Sequence, residues 1–317
     1  MSFAPRTAFD WRLRTRTLTL GPRTLLMGIL NVTPDSFSDG GDFASTEAAR
    51  DQALRLLDEG ADILDVGGES TRPGATPLAP EEEQTRVLPV IAAILKARPE
   101  AILSIDTFHA ATARLAVEAG AEIVNDVSGF TWDAAMPATC ASLNCGVVLM
   151  HTRGKPNEWA TQSPIPPIGV MPIILTGLRD SILAARTAGV PSDRIVLDPG
   201  FGFGKRGAEN YIIHALLPQL HQFGLPILSG TSRKGFLRTT IAPFHAGSPP
   251  AANSEASLRA TSASTVAAIL AGAHILRVHD VRPAAEAAAI ADAILAAGTL
   301  VGGAIATFTR NTPATPQ

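Results

Sequence analysis

A single (β/α)8 barrel is the fold class that this 317-residue sequence predicts. Three observations carry the prediction. Short runs rich in Val, Ile and Leu recur eight times, helical patterns lie between them, and every run ends in a polar residue. A chain of this length that is 46% hydrophobic and 17% charged can bury one substantial α/β core.

The elements follow in order. The stretch 13–20 reads L-R-T-R-T-L-T-L and closes on Gly21-Pro22, which is strand and turn chemistry. Residues 1–23 are therefore expected as a β-hairpin or strand at the base of the barrel, although the five arginines before Thr24 could suggest a transit peptide. The apolar runs are 24–30, 62–66, 101–105, 121–124, 146–150, 194–197, 226–228 and 273–278, each reading as a buried parallel strand. Helical patterns between them include 46–59 with Ser45 as its cap, 81–97, 109–119, 168–188 and 254–271. Gly60, Gly120 and Gly272 stand between a helix and the next strand, where a left-handed C-cap is expected. The catalytic barrel is expected over 24–300, with a Gly/Pro/Ser/Ala-rich surface loop at 242–253 and a flexible tail at 301–317.

Composition narrows the function classes. A formal net charge of -3 calls for neither nucleic acid nor a membrane surface as partner, so an anionic substrate must meet local positive charge. Cys140 and Cys145 have no metal-type or disulfide-framework spacing and read as reduced core thiols. Charge or Pro interrupts the apolar runs before the roughly 18 residues of a membrane span, and the N-terminus lacks a signal-type apolar stretch; the cytoplasm is expected.

In a barrel of this type chemistry sits where strand C-termini open into loops. The residues there are Asn31, Asp65, Asp106, Asn125 with Asp126, His151, Asp198, the 232–234 segment, and Arg277 with His279. One such Asp or Asn reads most simply as a helix cap. Eight polar tips converging on one mouth exceed what capping requires. After the first run comes Asn31-Val-Thr-Pro-Asp-Ser-Phe-Ser-Asp-Gly-Gly41, and after the second Asp65-Val-Gly-Gly-Glu-Ser-Thr-Arg-Pro-Gly74, both polar and Gly-rich in the manner of loops that close over a mouth.

With these segments the chain resembles the dihydropteroate synthases. The resemblance continues through Ser104-Ile-Asp-Thr107, Asn125-Asp-Val-Ser-Gly129, Val148-Leu-Met-His151, Leu197-Asp-Pro-Gly-Phe-Gly-Phe-Gly-Lys205, Gly230-Thr-Ser-Arg-Lys234 and Ile275-Leu-Arg-Val-His-Asp280, covering about residues 24–297. It implies a transferase of alkyl or aryl groups other than methyl, which condenses 6-hydroxymethyl-7,8-dihydropterin diphosphate with p-aminobenzoate to give 7,8-dihydropteroate and diphosphate in folate synthesis. Mg²⁺ is implied as cofactor, held near Asn31, with sulfonamides as competitors and a homodimer formed through helices distant from the mouth.

The resemblance also assigns residues. Asp198 would accept two parallel hydrogen bonds from the amidine-like edge of the pterin, while Asn125, Asp106 and Lys234 would satisfy the remaining ring positions. Arg277, His279 and Arg72 are the cations and donors available to the leaving diphosphate, whose loss from a carbon on an electron-rich ring suits dissociative substitution. The expected catalytic set is Asp65, Asp106, Lys234, Arg277 and His279. The p-aminobenzoate is expected against Phe203 and Pro73, with its carboxylate near Ser232 and with Thr71 and Arg72 closing over it.

Other readings stand beside these. His151 is balanced between a core histidine and a site residue, and His274 reads as structural. The 200–205 glycine run is not a Walker loop, because Arg206 occupies the hydroxyl position. A pterin-binding methyltransferase or a non-catalytic pterin-binding paralogue would share Asp106, Asn125 and Asp198, whereas Ser232, Lys234, Arg277 and His279 favour diphosphate loss. The chain departs from the family pattern at Gly235, where Ser is common, at Thr152 and 155–158, and at 206–209.

Overall fold

The computed structural model describes residues 5–32, 41–69 and 78–310, with backbone alone at 41–44 and 299–310. Two short strands, β1 (Phe9–Arg12) and β2 (Thr17–Leu20), pair antiparallel with Phe9 opposite Leu20. The barrel strands are β3 (Leu25–Asn31), β4 (Ile63–Gly67), β5 (Leu103–Asp106), β6 (Ile123–Asp126), β7 (Gly146–Met150), β8 (Ile195–Asp198), β9 (Leu228–Ser229) and β10 (Ile275–Val278). They run in the order β8-β7-β6-β5-β4-β3-β10-β9, parallel throughout. A single bridge, Leu197 to Ile227, with Leu197 N donating to Pro226 O at 2.9 Å, joins β8 to β9 and closes the ring.

Around the strands lie α1 (Gly41–Asp58), α2 (Pro80–Ala97), α3 (Ala110–Glu118), α4 (Met136–Leu143), α5 (Val170–Thr187), α6 (Ala208–Leu216), α7 (Gly235–Ile241), α8 (Glu255–Leu270) and α9 (Val281–Arg310). Pro80 and three glutamates open α2, as N-terminal geometry and the helix dipole favour. Ser254 caps α8 by accepting from Ser257 N, and Gly60, Gly120 and Gly272 take positive φ at the expected helix exits. The large apolar cluster lies between strands and helices.

A second cluster explains the N-terminal hairpin. Trp11, Leu13 and Leu20 pack against Leu25, Met27, Ile63, Ile123, Val148, Val196, Leu228 and Ile275, so the hairpin plugs the barrel's base. Trp11 is 1% exposed, and its indole Nε1 donates to Arg194 O at 2.9 Å. Arg194 answers by donating to Leu13 O at 2.7 Å.

Several expectations need correction. Ser45 lies inside α1, which begins at Gly41, and is not its cap. The 226–228 run contributes only Leu228 to a two-residue β9. The expected tail at 301–317 is helical as far as Arg310, with no proline between Pro283 in the first turn of α9 and Pro313; residues 311–317 lie outside the described residues. The stretch Pro167–Thr187 is long and apolar enough to cross a membrane by composition, against the expectation that no run would be. Its apolar side is occupied in the barrel, where Met171, Ile174, Leu178 and Ile182 of α5 are buried.

Candidate active site

Side chains alternate along a strand, so a residue two positions beyond an inward apolar one also points inward, one layer nearer the C-terminal mouth. The floor residues Ile63, Ile123, Val196, Leu228 and Ile275 are each followed at that interval by Asp65, Asn125, Asp198, Gly230 and Arg277. An apolar floor thus carries a polar layer directly above it.

The layer is organised by Arg277. Its Nε donates to Asp65 Oδ2 at 2.6 Å and its Nη2 to Asp106 Oδ2 at 2.5 Å, while Nη1 donates to neither. Asn125 Nδ2 also donates to Asp65 Oδ2, at 2.9 Å. Burial alone would lower the Arg277 pKa, but Asp106 and Asp65 outweigh it and hold the guanidinium charged. Burial raises the Asp106 carboxyl to about 7, assisted by Asp65, Glu83 and Asp126 and opposed by Arg277. Asp198 is likewise raised by burial, with Gly200 N, Lys234, Lys205 and Arg277 opposing. Gly230 lies between two of these groups: a Cβ there would be 3.7 Å from both Asp198 Oδ2 and Arg277 Cβ. The absence of a side chain keeps the space between them open.

The next loop supplies more of the site. Thr231 O accepts from Lys234 N, forming the turn that leads into α7, with Arg233 at a positive φ of 59°. Arg233 makes a two-point contact with Asp280 at 2.9 and 2.5 Å. Lys234 Nζ stands 4.1 Å above the Phe203 ring. Ser232 Oγ accepts from His279 N at 3.2 Å and lies 3.1 Å from His279 Nδ1, which joins the loops after β9 and β10.

The structure therefore brings Asp65, Asp106, Asn125, Asp198, Phe203, Ser232, Lys234, Arg277 and His279 to the mouth end of the barrel. Thr71, Arg72 and Pro73 lie outside the described residues. Asn31 ends β3 beside Gly67 in the ladder. Among the described residues no group of three or more His, Cys, Asp or Glu side chains could form a metal cage. A single amide oxygen at Asn31 nevertheless suits Mg²⁺, which keeps water and takes most other ligands from substrate phosphates.

His151 is a core residue. It is buried, burial and Lys205 lower its pKa to about 2, and its carbonyl is engaged by Lys205. His274 is also structural: its Nδ1 accepts from Ile227 N at 3.2 Å, so its Nε2–H faces Thr7 O at 3.0 Å. Asp126 accepts from Ser128 N and Phe130 N, which makes it a loop cap. In the 206–209 departure, Arg206 donates to the carbonyls of Trp159 and Ala160, which follow the 155–158 departure, and Glu209 accepts from Ile165 N. At Gly235 a Cβ would meet only Arg238, at 3.8 Å.

Two participants were not assigned from the sequence. Glu83 is completely buried and accepts from Thr107 Oγ1 at 2.8 Å, directly behind Asp106. Lys205 ends the Leu197–Lys205 motif, but nothing in a Gly-rich run shows that its terminal lysine turns inward.

Comparison with known proteins gives the family. The family described as pterin binding enzyme matches residues 27–279. The dihydropteroate synthase of Bacillus subtilis is 41% identical over 281 residues, covering 89% of this chain and 92% of that protein. The chain belongs to the dihydropteroate synthase family. The Xanthomonas albilineans dihydropteroate synthase, solved with 4-aminobenzoic acid, superposes with a TM-score of 0.80 at 40% identity and covers 91% of this chain and 98% of its own. A second structure of that enzyme, in complex with 7,8-dihydropteroate, gives 0.76 at 37% identity, with 91% of this chain and 98% of that one covered. The Yersinia pestis enzyme in a sulfonamide complex gives 0.80 at 39%, covering 91% of this chain and all 100% of that one.

Proposed function

We propose that this chain is a dihydropteroate synthase, joining 6-hydroxymethyl-7,8-dihydropterin diphosphate to p-aminobenzoate with release of diphosphate. The observation that carries the reading is the polar layer over the apolar floor, where carboxylates and an amide gather around a guanidinium at the mouth end of the barrel. A flat heterocycle with many donors and acceptors fits such a layer.

Asp198 receives the 2-amino and ring N–H edge of the pterin. Asn125 and Asp106 bind the far side, and Lys234 donates to ring acceptors from above. Departure of diphosphate from the exocyclic carbon leaves a cation delocalised into the dihydropterin, and the arylamine then attacks that carbon and loses a proton. Arg277 and His279 bind the leaving group, and each gains interaction energy as charge moves onto it. Asp65 fixes Arg277 from within the same layer. When bound, Mg²⁺ at Asn31 neutralises diphosphate charge. Phe203 offers the p-aminobenzoate a ring face and Ser232 a donor for its carboxylate, with Thr71, Arg72 and Pro73 completing the site. The sulfonamide complex of the Yersinia pestis relative supports sulfonamides as competitors here. A cytoplasmic homodimer is part of the same reading, and light scattering at working concentration tests the dimer.

Diphosphate release by purified protein is the deciding assay. It should require both the pterin diphosphate and p-aminobenzoate and yield 7,8-dihydropteroate. Pterin binding without p-aminobenzoate-dependent turnover would overturn the reading in favour of a binding paralogue.

A further inference from the structure

The Gly-rich segment that carries Phe203 ends in Lys205, which has no part in the chemistry above and yet is buried in the protein. Lys205 Nζ donates to His151 O at 2.7 Å, Gly200 O at 2.8 Å and Pro199 O at 3.0 Å. A neutral amine has only two N–H donors, so engagement of all these carbonyls requires the ammonium form. Burial pushes the Lys205 pKa well down, with Asp198 and Glu209 opposing and Lys234 and Arg153 assisting. The carbonyl cradle offsets that desolvation in the way oxygen ligands hold a small cation.

The cradle is joined to the site through one residue. Gly200 gives its carbonyl to Lys205 and its N–H to Asp198 Oδ1 at 2.7 Å. His151 closes the circuit, since its N–H donates to Asp198 O at 2.9 Å while its own carbonyl is held by Lys205. Gly200 is at φ +70°, and a Cβ there would be 2.0 Å from His151 O, so only glycine allows this wrap around the ammonium. Asn210 secures the same turn by accepting from Gly202 N at 2.7 Å and donating to Lys205 O at 3.2 Å.

We propose that Lys205 is a positioning residue for the pterin carboxylate: its carbonyl-bound ammonium fixes the Gly200 turn that orients Asp198, and its charge favours the ionised carboxylate that binds the pterin edge. The proposal rests on the reading of Asp198 as that carboxylate. The charged groups acting on Asp198 are Lys205, Lys234 and Arg277, from three different segments.

The test uses the full chain with Lys205→Met and Asp198→Asn. Carboxyl ¹³C titration, with Asp198 assigned by its loss in Asp198→Asn, should show the Asp198 pKa rising by about 1 unit or more in Lys205→Met, as expected on losing a neighbouring cation. The kcat/KM for the pterin diphosphate should fall about 10–100-fold, the usual cost of removing a partner that orients a binding group. Folded Lys205→Met with an unmoved Asp198 titration and an unchanged pterin kcat/KM would overturn the proposal. Should Asp198→Asn itself keep full pterin kcat/KM, the assignment of Asp198 fails first. If Lys205→Met does not fold, ¹⁵N spectra of the wild-type lysines, Lys96, Lys155, Lys205 and Lys234, decide instead. A protected Nζ ammonium at Lys205 near neutral pH supports the proposal, and a neutral or freely exchanging one overturns it.

Discussion

Replacing Arg277 by Ala tests the centre of the site. The guanidinium binds Asp65 and Asp106 at 2.6 and 2.5 Å, and its loss leaves buried carboxylates without their cation. Breaking a buried pair in this way costs about 3–5 kcal/mol. Losing a donor to the departing diphosphate should separately lower kcat by about 10²–10³. The stability deficit should depend on pH in a defined direction. Asp106 is already raised to about 7 with Arg277 present, and without it the carboxyl rises further. A carboxyl whose folded pKa lies above its unfolded value contributes stability that is full below the unfolded pKa and is lost as pH rises through the folded one. The Arg277→Ala deficit should therefore be largest near pH 8 and shrink towards pH 5. Urea denaturation of both proteins across that range measures it, with diphosphate release assayed on the folded fraction. A deficit that grows on acidification, or turnover at the wild-type rate, would refute both the electrostatic and the leaving-group roles.

Further outcomes follow from other groups. The wild-type kcat/KM for the pterin should fall as pH drops below about 7, where Asp106 takes up a proton, and Asp106→Asn should flatten that limb; a pH–rate profile of each checks this. Burial lowers His214 to about 4 from the ordinary 6.5, so the unfolded chain protonates there first and stability from this group is lost as pH falls between those values. His214→Asn should escape that loss, worth about 3 kcal/mol over the interval, and denaturation at pH 7 and pH 4 shows the difference. Trp11→Ala should cost about 3–5 kcal/mol by emptying the base plug while leaving the KM values of folded enzyme unchanged, as calorimetry and steady-state kinetics would show.

Much of this architecture was legible in the sequence because barrel strands are short, apolar and separated by helices. The observed strands sit one or two residues later than several of the apolar runs. Asn31, Asp106, Asp126 and Asp198 look like loop residues by polarity, but the ladder holds them as strand ends. The site residues were recognisable from their motifs, whereas their partners were not. Arg277 reads as a cation awaiting an anion, yet its carboxylates lie 212 and 171 residues away, a pairing that only closure of the ring creates. Glu83 stands in a row of glutamates at the start of α2, and tertiary packing alone decides that this one turns inward. Lys205 follows the same logic, since an ammonium at the end of a glycine run becomes internal only once the loop has wrapped around it. Short helices such as α4 and α6 left little periodic trace.

The pairing of β3 with β10 also sets an order on assembly. On a ribosome the strands that bear Asp65 and Asp106 emerge long before the one that bears Arg277, so a partly made barrel holds these carboxyl groups without their cation. The strand β10 pairs with β3 and supplies that cation. The polar layer thus joins residues 65 and 106 to residue 277, and the pocket cannot exist before almost the whole polypeptide has been made.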